Sequence, residues 1–507
     1  MPDYKKLQNG SDIRGIAIEG VANESVNLTP QIVEKLACAF CQWLKNKTDK
    51  KTYKFSVGCD SRLSGEELKQ SVINGIASKG YEISDFGLAS TPAMFMSTVL
   101  EGHNYDGAIM ITASHLPFNR NGLKFFTRSG GLEKQEISEI IEIAESNESL
   151  YIDSRFNAKS VDFMSDYSAY LVEKIRIGIN DKENYNKPLS GFKTIVDAGN
   201  GAGGFFAKKV LEPLGANTSG SQFLEPDGNF PNHIPNPEDK LAMQSISKAT
   251  IDFGADLGII FDTDVDRAGA VDKNGKEINR NRIIALLSSI VLEEHPGSAI
   301  VTDSITSDEL ADFIENKLGG VHHRYKRGYK NVINEAIRLN NEGKETHLAI
   351  ETSGHGALKE NYFLDDGAYL MAKILIKMAN LRKQGKTIDA LLSQLKEPLE
   401  AKEFRLNITD IEFKPYGNNI IEQLKAFSNI QEGFLPAKEN YEGIRVSLSK
   451  ELGGGWFLLR MSLHDPLMPL NIESNTLSGV KSIAKMLYEF LKQFKGLDLG
   501  GIESYIK

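Results

Sequence analysis

The sequence predicts an α/β protein of several domains that ends in a smaller α+β unit. Three observations carry that prediction. A chain of 507 residues exceeds one hydrophobic core, and the usual domain size gives about three to five domains. Short apolar runs alternate with amphipathic helical segments, the pattern of parallel βαβ units. Those runs end in turns rich in glycine, serine and aspartate, and such units hold their ligands at the carboxyl ends of strands.

Composition narrows the function classes. Hydrophobic residues at 41% and charged residues at 25% are those of a globular protein. With Lys+Arg 59 against Asp+Glu 68, the net charge is -9. No global field draws nucleic acid or an anionic membrane, so neither partner is expected and any anion is caught locally. Met1-Pro2-Asp3-Tyr4-Lys5-Lys6 has no apolar run behind it and no stretch is long enough to span a bilayer, so a cytoplasmic location is expected.

In chain order, Gly10-Ser11-Asp12-Ile13-Arg14-Gly15 places a rigid cation among small residues, suited to backbone lying close to a ligand. Thr29 and Pro30 open a helix to Leu44, which carries Cys38 and Cys41. No second ligand pair accompanies them, so they and Cys59 are expected to be buried rather than zinc- or redox-active. Tyr53–Val57 is a strand running into Gly58-Cys59-Asp60-Ser61-Arg62, and Ser64-Gly65-Glu66-Glu67 has the form of a capping box opening a helix to about Gly80. The strand Tyr81–Phe86 leads to Ser90-Thr91-Pro92 and another helix.

The apolar run Ala108–Ile111 then breaks into Thr112-Ala113-Ser114-His115-Leu116-Pro117, with Lys124 ten residues beyond Ser114. A serine held at the end of a buried strand beside a histidine can carry phosphate or act as a nucleophile. The acidic segment Glu133–Glu148 and the segment Ser160–Ile175 read as helices, the second entering a new domain. There the strand Thr194–Asp197 meets Ala198-Gly199-Asn200-Gly201-Ala202-Gly203-Gly204. The glycine spacing admits a dinucleotide site with Glu225 as ribose ligand, but close glycine packing explains it as well and is the preferred reading.

The buried strand Ala255–Phe261 runs into Asp262-Thr263-Asp264-Val265-Asp266-Arg267. Side chains two apart on an extended segment face one way, so three carboxylates converge, and a divalent cation relieves their repulsion. Arg267 and Lys273 stand where an EF-hand needs glycine and glutamate, whereas an all-oxygen site with room for phosphate fits Mg²⁺. Next come the strand Ala299–Thr302, a helix Ser304–Lys317, and the basic loop Lys326-Arg327-Gly328-Tyr329-Lys330 before a helix Asn331–Leu339. The strand His347–Ile350 delivers Glu351-Thr352-Ser353-Gly354-His355-Gly356, whose polar groups can hydrogen-bond sugar hydroxyls. Asp365-Asp366-Gly367 caps a helix Ala368–Ala379, and a short helix Ile388–Leu395 follows. In the last unit, Ile444–Leu448 and Trp456–Leu459 flank Gly453-Gly454-Gly455 as a hairpin. Its end, Arg460-Met461-Ser462-Leu463-His464-Asp465-Pro466, offers donors to a phosphate.

Taken together, in the same order and across essentially the whole chain, these loops resemble those of the α-D-phosphohexomutase family, the phosphoglucomutases and phosphomannomutases. The resemblance implies four domains around a central cleft, three α/β mixed-sheet domains and a fourth related to the TATA-binding-protein-like fold. The expected spans are 1–160 with the phosphoserine loop, 161–277 with the metal loop, 278–395 with the sugar loop and 396–507 with the phosphate loop. It implies an enzyme interconverting hexose 1- and 6-phosphates of glucose or mannose through phosphoserine at Ser114 and a hexose 1,6-bisphosphate, which also serves as activator.

By the same resemblance Ser114, Asp262, Asp264 and Asp266 hold Mg²⁺. Arg14, His115, Lys124, Arg267 and His355 take catalytic roles, while Lys330, Glu351, Ser353, Arg460, Ser462 and His464 bind substrate. A monomer or homodimer is expected. The chain departs from the family pattern at Leu116, usually asparagine, at Thr263 and Val265, usually glycines, and over Leu463–Pro469. A phosphoglucosamine mutase is the nearest alternative. The others are a phosphatase with Asp262 as aspartyl nucleophile, since Asp262-Thr263-Asp264-Val265 also fits D-x-D-x-T/V, and a homologue that binds sugar phosphate without turnover.

Overall fold

The computed structural model describes residues 3–48, 50–146, 155–409, 412–462 and 465–507. The chain forms two compact units, Met1–Ile290 with Ser353–Leu391, and Val291–Thr352 with Leu392–Lys507.

In the first unit an eight-stranded mixed sheet has the strands Lys54–Cys59, Gly107–Ile111 and Glu82–Leu88 as its parallel centre. The strand Arg120–Thr127 returns antiparallel to Gly107–Ile111, so that Lys124 lies opposite Met110 and Leu123 opposite Ile111. The segment between them is thereby a turn held at both ends by ladder pairing, and it carries Ser114. Asp12–Ile16 extends the sheet beyond Arg120–Thr127, setting Arg14 opposite Gly122. A Cβ on Gly122 would lie 2.2 Å from the Ile13 carbonyl and 2.8 Å from that of Thr112, so only glycine lets three backbones meet there. Phe40 from the helix Pro30–Lys47 seals the core against Phe55 and Phe125, with ring centroids 5.7 and 5.0 Å apart.

A second, four-stranded sheet of the same unit pairs Thr194–Asp197 in parallel with Leu257–Phe261, which pairs antiparallel with Ala268–Asp272. The aspartate segment is the hairpin connection of that antiparallel pair. The glycines after Thr194–Asp197 open no dinucleotide site: a Cβ on Gly201 would stand 2.6 Å from the Thr263 carbonyl, and one on Gly204 would stand 2.3 Å from that of Leu224. Glu225 is exposed and pairs with Lys208.

The second unit holds three parallel strands, in which Val321–Arg324 and Thr346–Ile350 flank Ala299–Thr302. It also holds an antiparallel five-stranded sheet, ordered Glu400–Asn407, Leu467–Ser474, Trp456–Leu459, Ile444–Leu448, Phe434–Pro436. The helices Phe413–Ile430, Gly479–Leu491 and Gly500–Ile506 contribute to that sheet's core, giving the expected α+β unit.

Most sequence-predicted elements are present with ends shifted by a few residues, and the Ile444–Leu448/Trp456–Leu459 hairpin falls where it was expected. Thr29 accepts the N–H of Ile32 as N-cap, and all three cysteines are buried and free. Three readings change. Ser64 does not cap the helix Gly65–Ala77; its hydroxyl accepts from Asn121 Nδ2 instead, which satisfies the buried amide. The helix expected over Ser304–Lys317 begins at Asp308, capped by Ser307, and widens to a π-helix at Phe313–Lys317. Ile388–Leu395 is only a 3₁₀ turn, Ile388–Leu392. Among the described residues no helix is long and apolar enough to cross a membrane.

Candidate active site

The Ser114 turn is built by backbone pairing and then pinned by side chains from the neighbouring strand end. Ser114 sits at φ +50 and is buried. Its N–H donates to Thr112 Oγ1 at 2.9 Å, and that hydroxyl donates to Asp60 Oδ2 at 2.6 Å. Arg62 reaches the turn from the same loop: its guanidinium donates to the carbonyls of Leu116 (2.6 Å), Pro117 (2.8 Å) and Arg120 (3.0 Å), and to that of Ser114. Burial lifts the Asp60 carboxyl to about 6, against the nearby Arg62.

The aspartate loop arrives from the second sheet of the same unit. Its three carboxylates do converge, with oxygens within 4.8 Å of one another. The alternating geometry expected of an extended segment is not the cause, since residues 263–266 form a turn with Val265 at φ +67. A β-branched residue there is strained by roughly 1–2 kcal/mol. Neighbouring elements hold it in place: Gly367 N–H donates to the Val265 carbonyl at 3.1 Å, and Thr91 donates to Asp264 through both N–H (2.8 Å) and Oγ1 (2.5 Å). A Cβ on Gly367 would lie 2.7 Å from the Arg267 backbone, so glycine is required where the helix Gly367–Arg382 meets the loop.

Serine and carboxylates meet directly. Ser114 Oγ donates to Asp262 Oδ2 at 2.9 Å and accepts from Arg267 Nη2 at 2.6 Å. Arg267 Nε donates to the same Asp262 oxygen at 3.0 Å, and its guanidinium also donates to His115 Nδ1. Lys124 pairs with Asp266 and lies 3.2 Å from Asp264. His355 Nε2 stands 3.6 Å from Asp266 Oδ1, while its Nδ1 shares a 2.9 Å hydrogen bond with Ser353.

Burial, together with the Asp266 and Asp264 charges, pushes the Asp262 carboxyl well above the usual carboxylate range. Asp266 is held well below that range despite its burial, by Lys124, His355 and Arg267. Burial and the charges of Arg267 and Arg14 bring His115 down to about 2, and burial lowers His355 as well, against the nearby Asp266. Arg14 pairs with Asp12 at 2.9 Å and, despite burial, is held above its ordinary value by Asp12, Asp264 and Asp266.

The donor set fits a divalent cation. Asp264 Oδ1 and Asp266 Oδ1 are fully buried without a hydrogen-bond partner. A buried unpartnered carboxylate oxygen is costly, and two of them beside a third carboxylate supply the oxygen-only surroundings that Mg²⁺ prefers.

The remaining sequence-predicted residues lie in the second unit, except Ser353. Glu351 is buried and accepts the N–H of Gly328 at 2.6 Å, and Lys330 lies in the first turn of the helix Tyr329–Asn341. Arg460 is buried, with Nε unpartnered. Burial lowers its pKa, and the Arg327 charge adds to this while Glu442 opposes it. Ser462 Oγ accepts from Asp465 N–H at 3.3 Å, and His464 lies outside the described residues. Sequence reasoning assigned no role to Arg62, Asp60 or Thr91. The usable signal was that Asp60-Ser61-Arg62 and Ser90-Thr91 end strands of the same sheet as the serine turn.

Residues 5–151, 166–275 and 279–398 match, in order, family models described as phosphoglucomutase/phosphomannomutase alpha/beta/alpha domains I, II and III. The chain is 31% identical to the phosphomannomutase/phosphoglucomutase of Pseudomonas syringae pv. tomato, over 86% of this chain and 87% of the relative. It is 29% identical to the phosphoglucomutase of Neisseria gonorrhoeae, over 93% and 94%. The crystal structure of a phosphoglucomutase/phosphomannomutase family protein from Burkholderia thailandensis superposes with a TM-score of 0.76 at 26% identity, covering 96% of this chain and 97% of that one.

Proposed function

The chain belongs to the phosphoglucomutase/phosphomannomutase family, and from that premise we propose that it interconverts hexose 1-phosphate and hexose 6-phosphate, of glucose, of mannose or of both, with Ser114 as phosphoryl carrier. The observation that carries the reading is the Ser114 hydroxyl bonded to both Asp262 and Arg267 beside two unpartnered carboxylate oxygens. A hydroxyl so placed can accept and release a phosphoryl group whose charge Arg267 meets directly and a cation held by the carboxylates would meet from the other side.

In the forward half, the free hydroxyl oxygen of the bound sugar phosphate attacks phosphorus on Ser114. The new sugar O–P bond forms as the Ser114 Oγ–P bond breaks; the sugar hydroxyl loses its proton to a neighbouring base, and Ser114 Oγ takes up a proton as it leaves, so the step is proton-neutral. His355, its pKa lowered by burial and its ring oriented by Ser353, suits that role, with Arg14 and Lys124 the further candidates for moving protons or meeting charge. The hexose 1,6-bisphosphate then returns its other phosphoryl group to Ser114 by the reverse step, so no water is consumed. Arg267, 2.6 Å from Ser114 Oγ, neutralises charge on the transferring group, and His115 accepts from that guanidinium and orients it.

Asp262, Asp264, Asp266 and an oxygen on Ser114 would hold Mg²⁺, which supplies charge neutralisation at the phosphoryl oxygens. Arg460, with an unpartnered buried Nε, and Ser462 offer donors to the phosphate that is not being transferred, and Glu351, Ser353 and Lys330 complete the substrate-binding set. Domain limits near residues 160, 277 and 395 belong to the same proposal.

Mass spectrometry after incubation with glucose 1,6-bisphosphate tests it. An acid-stable phosphate on the tryptic peptide carrying Ser114, together with near-complete loss of turnover in a folded Ser114→Ala variant, is the expected result. An alkali-labile acyl phosphate on the Asp262 peptide, or activity retained in Ser114→Ala, would overturn it.

A further inference from the structure

Outside the candidate active site, the second unit brings His295, Glu345 and His347 together on its surface. The imidazole rings of His295 and His347 are stacked, with centroids 3.5 Å apart and planes at 5°. Glu345 Oε1 lies 2.7 Å from His347 Nε2, and one donor atom from each of the three residues falls within 4.8 Å of the others. A carboxylate beside one histidine is an ordinary surface pair. A second imidazole laid face to face on the first needs a further account, because two charged rings at that separation repel and the neutral form is the one that ligates metals.

The backbone is arranged to produce the cluster. His295 closes the last turn of a helix, its N–H donating to Val291, and Pro296 prevents the helix from continuing. The chain then reverses through Gly297 at φ +78. Ser298 N–H donates to His295, and Ala299 N–H to Glu345 at 2.8 Å. Two ligand-bearing segments are thereby tied together by main-chain bonds. On the neighbouring strand the pairing steps from Ala299↔Thr346 to Ile300↔Leu348, so His347 is the extra residue of a β-bulge. A bulge re-aims one side chain out of the strand's alternation, and this one belongs to the histidine facing His295.

We propose that His295, Glu345 and His347 bind a divalent transition metal ion of the Zn²⁺ class, separate from the Mg²⁺ proposed at the aspartates. Two imidazole nitrogens and one carboxylate oxygen make a borderline donor set that selects Zn²⁺ over Mg²⁺, whereas the aspartate loop offers oxygen alone. Closing donor atoms from within 4.8 Å to the roughly 3.3 Å spacing of a tetrahedral ion takes rotation of one imidazole off the stack. Glu345, with its side chain 61% exposed, leaves an entry path and room for a water ligand. On binding, the metal takes the place of the proton His347 shares with Glu345. The bound ion would fasten the helix end to the strand.

Calorimetric titration of the full chain with Zn²⁺ in excess Mg²⁺ tests this. One saturable Zn²⁺ equivalent is expected, weakened roughly tenfold or more by His295→Ala or His347→Ala and unchanged by Asp264→Asn. Absence of saturable binding, or equal binding by the histidine variants, would overturn it. On the unaltered protein, Zn²⁺ should protect His295 and His347 from modification by diethyl pyrocarbonate, and equal labelling with and without Zn²⁺ would count against the site.

Discussion

Arg62 shows how one side chain can set the position of a reactive loop without touching the reacting atoms. Its side chain is completely buried, with Nε 3.4 Å from Asp60 and both Nη groups donating to carbonyls of the Ser114 turn. Arg62→Lys keeps the charge, but an ammonium cannot span the same carbonyls as a planar fork. Losing one or two charge-assisted bonds costs about 1.5–3 kcal/mol in placing the turn, so kcat should fall roughly 10- to 100-fold. Mg²⁺ affinity, set by the aspartates, should hold. A kcat within twofold of the parent would show that the ladder pairing alone positions Ser114. Sequence alone marked Ser114 and the aspartates because their chemistry stands at the ends of apolar runs, and Lys124 by its place ten residues beyond Ser114. It assigned Arg62 nothing, since its partners are backbone carbonyls more than fifty residues away and no side-chain motif reports them.

At the scale of elements, register decides what the loops can do. The antiparallel return of Arg120–Thr127 puts Lys124 one strand from the Ser114 turn, and the hairpin between Leu257–Phe261 and Ala268–Asp272 folds the aspartates into one cluster. Convergence of the carboxylates was legible in their spacing. Its cause was not, because a left-handed Val265 is stabilised by Gly367, about a hundred residues away.

The strand pair Trp456–Leu459 and Leu467–Ser474 carries a measurable pH dependence. Glu473 lies opposite Trp456 and accepts its indole N–H at 2.8 Å. Burial raises the Glu473 carboxyl from 4.5 to about 7, against the hydrogen bond from Trp456 and the charge of Arg445. The folded state therefore binds this proton more tightly than the unfolded chain. The Glu473 contribution to stability is fully present below pH 4.5 and is lost as pH rises to about 7, by roughly 3 kcal/mol at most. Glu473→Gln removes that component. In a Trp43→Phe background, Trp456 is the remaining tryptophan, and urea unfolding followed by its fluorescence should show the Gln variant gaining on the parent between pH 4.5 and 7. A constant difference across that range would mean that Glu473 titrates normally.

For the whole molecule, the residues proposed for phosphoryl transfer and those proposed for phosphate binding fall in different compact units, and their effects can be measured separately. Ser114, the three aspartates, Lys124, Arg267 and His355 all belong to the first unit, whereas Arg460, Ser462, Glu351 and Lys330 belong to the second. Residues without shared partners act additively to within about 0.5 kcal/mol. On the proposed assignment, removing Arg460 takes away charge-assisted hydrogen bonds to the second phosphate, so Arg460→Ala should raise KM for glucose 1-phosphate roughly tenfold or more. Mg²⁺ affinity in that variant should stay within about twofold of the parent. Asp264→Asn removes a ligand charge and should lower Mg²⁺ affinity at least about tenfold with a parallel loss of kcat. In the double variant the two effects should multiply. A Mg²⁺ affinity that moves several-fold on loss of Arg460 would mean that the two residue sets respond to each other, and the metal and second-phosphate roles would then have to be assigned jointly rather than unit by unit.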